Sequence, residues 1–290
     1  METQDRFKMS DGFGIFYRRW QPQGEVKRVV LGLHGTGSHS GAFEFVGKRL
    51  SEGEDTEVYA IDRRGFGNSV EEGLERGDIS NFKRYLLDVD ETCELLRANH
   101  PGKEFYVFGK SEGAIHALHH AAAHPGSVDG SILAAPPIKP KVGVPPALLV
   151  RVVLNLVFSP NTIIDAVKYQ SKEQRESEEI KAALEDPLLT LNYSARFLYG
   201  LSSLLRAVLN DAKAVQDPIL ILQGDADNLV SPNGAQTLLE VLRAKDKTLK
   251  IFPGANHNFY DSLPPSSNSK YDPAKRELVI SAVNDWLEAH

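Results

Sequence analysis

The stretch Gly109-Lys110-Ser111-Glu112-Gly113 constrains this chain more than any other. The apolar run Phe105-Tyr106-Val107-Phe108 before it reads as a buried strand, and Ala114 to His124 after it reads as a helix. A serine on a sharp strand-to-helix turn is lifted clear of the sheet. Small residues two positions either side are required because a Cβ there would meet the neighbouring strand or helix. Gly109-Lys110-Ser111 also looks like the end of a phosphate-binding loop. That motif needs glycine at position 104, which is Glu, and four large apolar residues fill the place of its flexible loop.

Short apolar runs alternate with amphipathic helical stretches, which predicts an α/β fold: a mostly parallel sheet with helices on both faces. Strands are expected at 13–20, Val29 to Leu33, Val58 to Ile61, 105–108, Ser131 to Ala135, Ile219 to Leu222 and Leu249 to Phe252. Helices are expected near 42–51 and 233–244, and in a stretch capped by Ser80 that stops before Pro101-Gly102. In that stretch Cys93 shares an apolar stripe with Phe82, Leu86, Val89 and Leu96, so it reads as core and not as a nucleophile. A last helix has Asp272 as its cap and Pro273 in its first turn.

The rhythm breaks from about 138 to 216. Residues 1–137 and 217–290 are therefore expected to form the core, with 138–216 a helical cap inserted over the end of the sheet. Ala147 to Phe158 is apolar except for Arg151 and Asn155, and a helix this apolar is expected to bury most of its surface or to line an apolar cavity. Residues 171–181 are charged and read as a solvated face, and Leu188 to Leu201 is apolar and aromatic again. Ordinary helix packing is the alternative to a lid bordering a substrate pocket.

The 290 residues carry a net charge of −6 with acids and bases interspersed, so no basic stripe points to nucleic acid. The polar N-terminus lacks the apolar core of a signal peptide. No apolar run reaches the roughly 18 residues of a membrane span. With a single cysteine and no internal disulfide, a cytoplasmic setting is expected.

A serine hydroxyl is a poor nucleophile at neutral pH and needs a base held by an acid. In this architecture the acid and then the histidine follow the serine in chain order. The strand at 219–222 is followed by Gly224-Asp225-Ala226-Asp227, and the strand ending at Phe252 by Pro253-Gly254-Ala255-Asn256-His257. Both loops leave the same end of a parallel sheet as the serine turn. His257 is the candidate base; Asp225 and Asp227 are near-equal candidates for the acid on position alone. Charge developing on an acyl oxygen needs preorganised donors. The N–H of Glu112 at a helix start is one candidate. The N–H of Thr36 in the glycine-rich loop His34-Gly35-Thr36-Gly37-Ser38 is the other.

These residues together resemble an α/β-hydrolase of the monoacylglycerol lipase and lysophospholipase branch, close to the serine aminopeptidase-like hydrolases. The resemblance rests on His34-Gly35-x-Gly37, Asp62-Arg63-Arg64-Gly65-Phe66-Gly67-Asn68-Ser69, Gly109-x-Ser111-x-Gly113, Gly224-x-x-Asp227-x-x-Val230 and Gly254-x-x-His257. It implies Asp227 as the acid, Thr36 and Glu112 as the oxyanion hole, 138–216 as a cap, and a structural role for the Asp62 loop. His34, Leu149, Val153 and Phe197 are candidate substrate contacts. Lys110 stands where this branch more often has His, Glu or Asp, and Glu112 where a hydrophobic residue is common. Such flanking charges either favour a polar substrate or are taken up by other residues.

His116, His120 and His124 share a helix stripe with metal-ligand spacing, and His119 lies beside it. No HExxH arrangement is present, and local hydrogen bonding is the expected fate of these rings, with no metal or cofactor required. The resulting expectation is a serine hydrolase that cleaves carboxylic esters of medium or long acyl chain through Ser111, Asp227 and His257 and an acyl-enzyme. Such a protein meets a small-molecule ester or lipid, with transient contact to a lipid surface. An aminopeptidase or thioester or amide hydrolase on the same triad, and a non-catalytic receptor on this fold, are the alternatives.

Overall fold

The computed structural model describes residues 1–53, 55–141, 143–169, 184–260 and 273–290. The expected cap Asp272 and the charged stretch 171–181 lie outside the described residues. The described residues form the strands β1 (Glu2–Lys8), β2 (Gly14–Trp20), β3 (Arg28–Leu33), β4 (Thr56–Ile61), β5 (Glu104–Lys110), β6 (Gly130–Ala134), β7 (Ile163–Asp165), β8 (Asn192–Ser194), β9 (Ile219–Gly224) and β10 (Lys247–Phe252). The helices are α1 (Glu44–Ser51), α2 (Phe82–Asn99), α3 (Glu112–Ala123), α4 (Pro146–Phe158), α5 (Ala195–Ala214), α6 (Pro232–Val241) and α7 (Pro273–Ala289).

Eight strands form one sheet in the order β1-β2-β4-β3-β5-β6-β9-β10. From β4 to β10 every pair is parallel, while β1 and β2 are antiparallel additions at one edge. The alternation of each central strand splits its side chains between two cores. Val29, Leu31, Phe105, Val107, Ile219 and Ile221 pack under α2, α3, α5 and α6. Val30, Tyr106, Phe108, Leu220 and Leu222 pack under α1 and α7, where Val279, Val283 and Trp286 close the other face. The α/β-hydrolase fold expected from the sequence is the fold observed.

Three details differ from the sequence expectations. β1 was not expected, because Glu2-Thr3-Gln4-Asp5-Arg6-Phe7-Lys8 carries little apolar pattern; it is held by pairing with β2 and by Phe7 stacked on Tyr17 at 4.1 Å. The cap of α2 is Asn81, whose side chain accepts from Lys83 N–H at 2.9 Å, because Ser80 is turned away to Glu71, its hydroxyl 2.6 Å from the carboxylate. The apolar α4 does not bury most of its surface: only Asn155 is buried. Leu149, Val150, Val153, Leu154, Val157 and Phe158 are all at least half exposed. One stripe of α4 (Leu148, Val152, Asn155, Leu156) faces the protein, and the rest of its apolar circumference faces out.

Among the described residues between β6 and β9 no strand joins the main sheet; β7 and β8 pair with each other. Its last helix, α5, packs against α3 and gives Leu204, Val208 and Ala212 to the core. The stretch before α5 is fastened to the loop after β3. Thr190 N–H donates to Gly37 C=O at 2.9 Å, and His39 Nε2 lies 3.2 Å from Asp186. Cys93 is buried in the core, as its stripe predicts.

Candidate active site

The register brings Leu33, Lys110, Ala134, Gly224 and Phe252 to one edge of the parallel sheet, so the loops that follow them share one rim. Ser111 stands there between β5 and α3 with φ 52° and ψ −118°. Positive φ is uncommon for a residue with a Cβ and stores about 1–3 kcal/mol when the surroundings enforce it. The surroundings do enforce it. A Cβ on Gly109 would lie 2.2 Å from the Gly113 carbonyl oxygen, and one on Gly113 would lie 2.0 Å from that of Leu33. Both glycines are therefore required by contact, as the pentapeptide predicts.

Asp227 and His257 meet on this rim, with His257 Nδ1 2.8 Å from Asp227 Oδ2. The other carboxylate oxygen accepts from Leu229 and Val230 N–H, both at 2.8 Å, and Gln223 Nε2 donates to Oδ2 at 3.1 Å. Burial alone would push the Asp227 carboxyl upward; the bond to His257 and the two backbone donors outweigh it and hold it below the usual range. Asp225 is spent elsewhere, accepting from Gly254 N–H at 2.6 Å at the surface. The loop His34 to Ser38 comes against the serine: a Cβ on Gly35 would sit 3.9 Å from Ser111 Oγ. Thr36 in this loop and Glu112 at the start of α3 are thus both brought beside Ser111.

The charges flanking Ser111 are taken up internally. Glu112 is buried and pairs with Arg63 Nη1 at 2.9 Å, while the Tyr85 hydroxyl donates to the same oxygen at 2.8 Å. Burial opposes its charge, but Arg63 and His116 outweigh it and hold the carboxyl well below its ordinary value. Lys110 is buried, donates to Asn258 Oδ1 at 2.7 Å and lies 5.9 Å from the Tyr260 ring centre. Sequence spacing gave no sign of Arg63, which is 49 positions from Glu112.

Of the four candidate substrate contacts, His34 and Phe197 are fully buried on either side of Phe66, with ring centres 5.9 and 5.2 Å from it. Both nitrogens of His34 are engaged: Nε2 accepts from Arg63 N–H at 3.0 Å and Nδ1 lies 2.8 Å from the Gly35 carbonyl. Leu149 and Val153 lie on the outer face of α4, 56 % and 52 % exposed. The structure therefore does not bring these four together on one surface. Asp62 is fully buried and accepts from Ser40 and Asn68 N–H at 2.6 and 2.7 Å, which braces its loop.

The α3 histidines are occupied locally. His116 is bonded to Glu112, and His119 to Asp211 at 2.9 Å. His120 sits between Asp90 at 2.6 Å and Ser127 at 3.0 Å. Among the described residues Asp90, His120 and His124 bring ligand atoms within 4.8 Å of one another, but both ring nitrogens of His120 already have partners.

The family model for serine aminopeptidase, S33, matches residues 24–261. The chain belongs to this family. It is a monoacylglycerol lipase-like α/β-hydrolase. It is 34 % identical to a monoglyceride lipase of Homo sapiens over 283 residues, covering 96 % of this chain and 88 % of that protein. It is 25 % identical to a monoacylglycerol lipase of Mycolicibacterium smegmatis over 292 residues, with 99 % and 98 % covered. The solved monoacylglycerol lipase of Paleococcus ferrophilus superposes with a TM-score of 0.74 at 25 % identity, covering 95 % of this chain and 99 % of that one. No helix among the described residues is long and apolar enough to cross a membrane.

Proposed function

We propose that this S33-family α/β-hydrolase cleaves carboxylic esters of medium or long acyl chain, with Ser111 as nucleophile, His257 as base and Asp227 as the acid that orients it. The bond between His257 and Asp227 at the rim that carries the strained Ser111 turn is the observation that supports this reading most directly. In the proposed reaction Ser111 Oγ attacks the ester carbonyl and His257 takes its proton. The N–H groups of Thr36 and Glu112 hold the oxyanion. His257 protonates the departing alcohol, and water activated by the same ring then releases the acid. The lipase relatives support an ester as the substrate class.

In this reading residues 138–216 form a cap, and its α4 touches a lipid surface through Leu149, Val150, Val153, Leu154, Val157 and Phe158. An apolar face of this extent, exposed in water, marks a contact surface more often than it marks idle surface. A cytoplasmic setting belongs to the same reading and is supported by the single, buried cysteine.

Turnover of p-nitrophenyl esters of graded chain length, beside thioesters and aminoacyl amides, tests the proposal. Esters are expected to turn over fastest and Ser111→Ala to abolish turnover. Equal rates in wild type and variant remove Ser111 from the mechanism. Failure of the wild type to react with a fluorophosphonate probe favours a non-catalytic receptor.

A further inference from the structure

Arg63 is almost completely buried, and its guanidinium bridges the loop after β3 and the start of α3. Nη1 donates to Glu112 Oε1 at 2.9 Å, one residue after Ser111. Nη2 donates to the His34 carbonyl at 2.6 Å and to the Gly35 carbonyl at 3.3 Å, immediately before Thr36. Its own backbone N–H donates to His34 Nε2 at 3.0 Å, and its charge lies 5.2 Å from the Tyr85 ring centre. His34, Tyr85 and His116 each contact Arg63 or Glu112, and the Thr36 side chain is itself bonded to the Glu112 carboxylate, so Arg63 acts beside a direct link between the two donor residues.

We propose that Arg63 is a positioning residue: by bonding the carbonyls before Thr36 and the carboxylate of Glu112 at once, it sets the spacing of the two backbone donors that face the oxyanion. The proposal rests on the reading above, in which those donors belong to Thr36 and Glu112. A stability role explains the arrangement poorly. Taking a guanidinium and a carboxylate out of water costs several kcal/mol each, and a packed apolar pair in the same place is often equally stable or more so. What an apolar pair cannot do is bond carbonyls of one loop while holding the other. Preorganised donors lose effect steeply when displaced, because the geometry must be in place before charge develops.

Three variants test this by unfolding midpoint, by kcat and KM on a p-nitrophenyl ester, and by affinity for a trifluoromethyl ketone that forms a tetrahedral adduct. Arg63→Met alone leaves the Glu112 carboxylate uncompensated and is expected to lower both midpoint and kcat. The double variant Arg63→Met, Glu112→Met is expected to recover the midpoint while kcat stays at least about tenfold below wild type, with KM little changed and ketone affinity reduced in step. Arg63→Lys keeps the charge but reaches only one loop, so it is expected to fold and to recover part of kcat. Wild-type kcat and ketone affinity in either folded variant, double or Arg63→Lys, overturns the proposal and leaves the pair a packing feature. Ser111→Ala runs in parallel. Turnover surviving in it defeats the reading of the site, which is a different result from wild-type turnover in an Arg63 variant.

Discussion

Lys110 donates a hydrogen bond to Asn258 across 2.7 Å, tying the residue before Ser111 to the residue after His257. With Glu112 bonded to Arg63, both charges beside the serine are engaged inside the protein. Of the two alternatives the sequence leaves for these charges, the structure supports uptake by other residues, and a polar substrate loses their support. Lys110→Met should lower kcat about tenfold by loosening the His257 loop, with KM changed less. Steady-state kinetics beside thermal unfolding checks this, and an unchanged kcat in a folded variant refutes it.

Asp227 and Asp225 separate cleanly by substitution. Asp227→Asn should reduce kcat by about 10⁴-fold, since an amide oxygen and nitrogen cannot hold the His257 ring in the productive tautomer. Asp225→Asn keeps an oxygen that can accept from Gly254 N–H at the surface and should keep kcat within about threefold. Comparable losses in the two variants contradict the assignment of the acid.

Acid stability offers a third measurement. Burial, reinforced by the charge of Arg63, lowers His116 to about 4, so the folded protein keeps this ring neutral. The unfolded chain titrates near the ordinary value of about 6.5 and binds more protons between the two values. Stability from this ring is full above about pH 6.5 and is lost as pH falls towards 4. His34 acts in the same direction, whereas His100 and His119, raised by their carboxylate partners, contribute stability that is lost as pH rises. Unfolding midpoints of wild type and His116→Gln from pH 7 to 4 isolate the effect: the wild type should lose more on acidification. Parallel curves rule it out.

Two glycines make a matched pair. Gly113→Ala drives a Cβ to 2.0 Å from the Leu33 carbonyl and 2.7 Å from that of His34, where backbone must move. A loss of about 3 kcal/mol is expected, with turnover lost as well. Gly126 has φ +78° and nothing within 4 Å, so Gly126→Ala meets only backbone strain, about 1 kcal/mol, at full activity. Denaturant titration compares them, and equal losses would show that contact at the serine turn is not what requires Gly113.

The outward face of α4 gives a fifth test. Replacing Val153, Val157 and Phe158 by Ser should weaken cosedimentation with phosphatidylcholine vesicles at least about tenfold, while hydrolysis of a water-soluble short ester stays near wild type. Undiminished vesicle binding excludes this face as the contact.

The central sheet and the serine turn were legible because strands buried on both faces read as continuous apolar runs and the glycines of that turn fall at fixed offsets. Chain order singles out His257 as the candidate base, and the fold brings it to the rim beside Asp227. Between Asp225 and Asp227 only the resemblance favours Asp227 in the sequence, since the two differ in burial, which spacing does not encode. β1 escaped because its stability lies in pairing with β2, and Asn81 displaced Ser80 as a cap because Glu71 claims the serine. Arg63 escaped for the same kind of reason: it acts only through partners that the fold brings to it. The outward face of α4 shows the converse: an apolar sequence implies burial or a cavity wall, and in the fold much of that face meets water.

The backbone at Ser111 is held in a shape that a residue without a side chain adopts at ease. Ser111→Gly would relax it by about 1 kcal/mol. A descendant of this chain released from selection for turnover therefore becomes sturdier by giving up its hydroxyl. Reversal then demands that stability be surrendered before any benefit returns, so silent copies of this fold should drift to glycine at 111 and stay there.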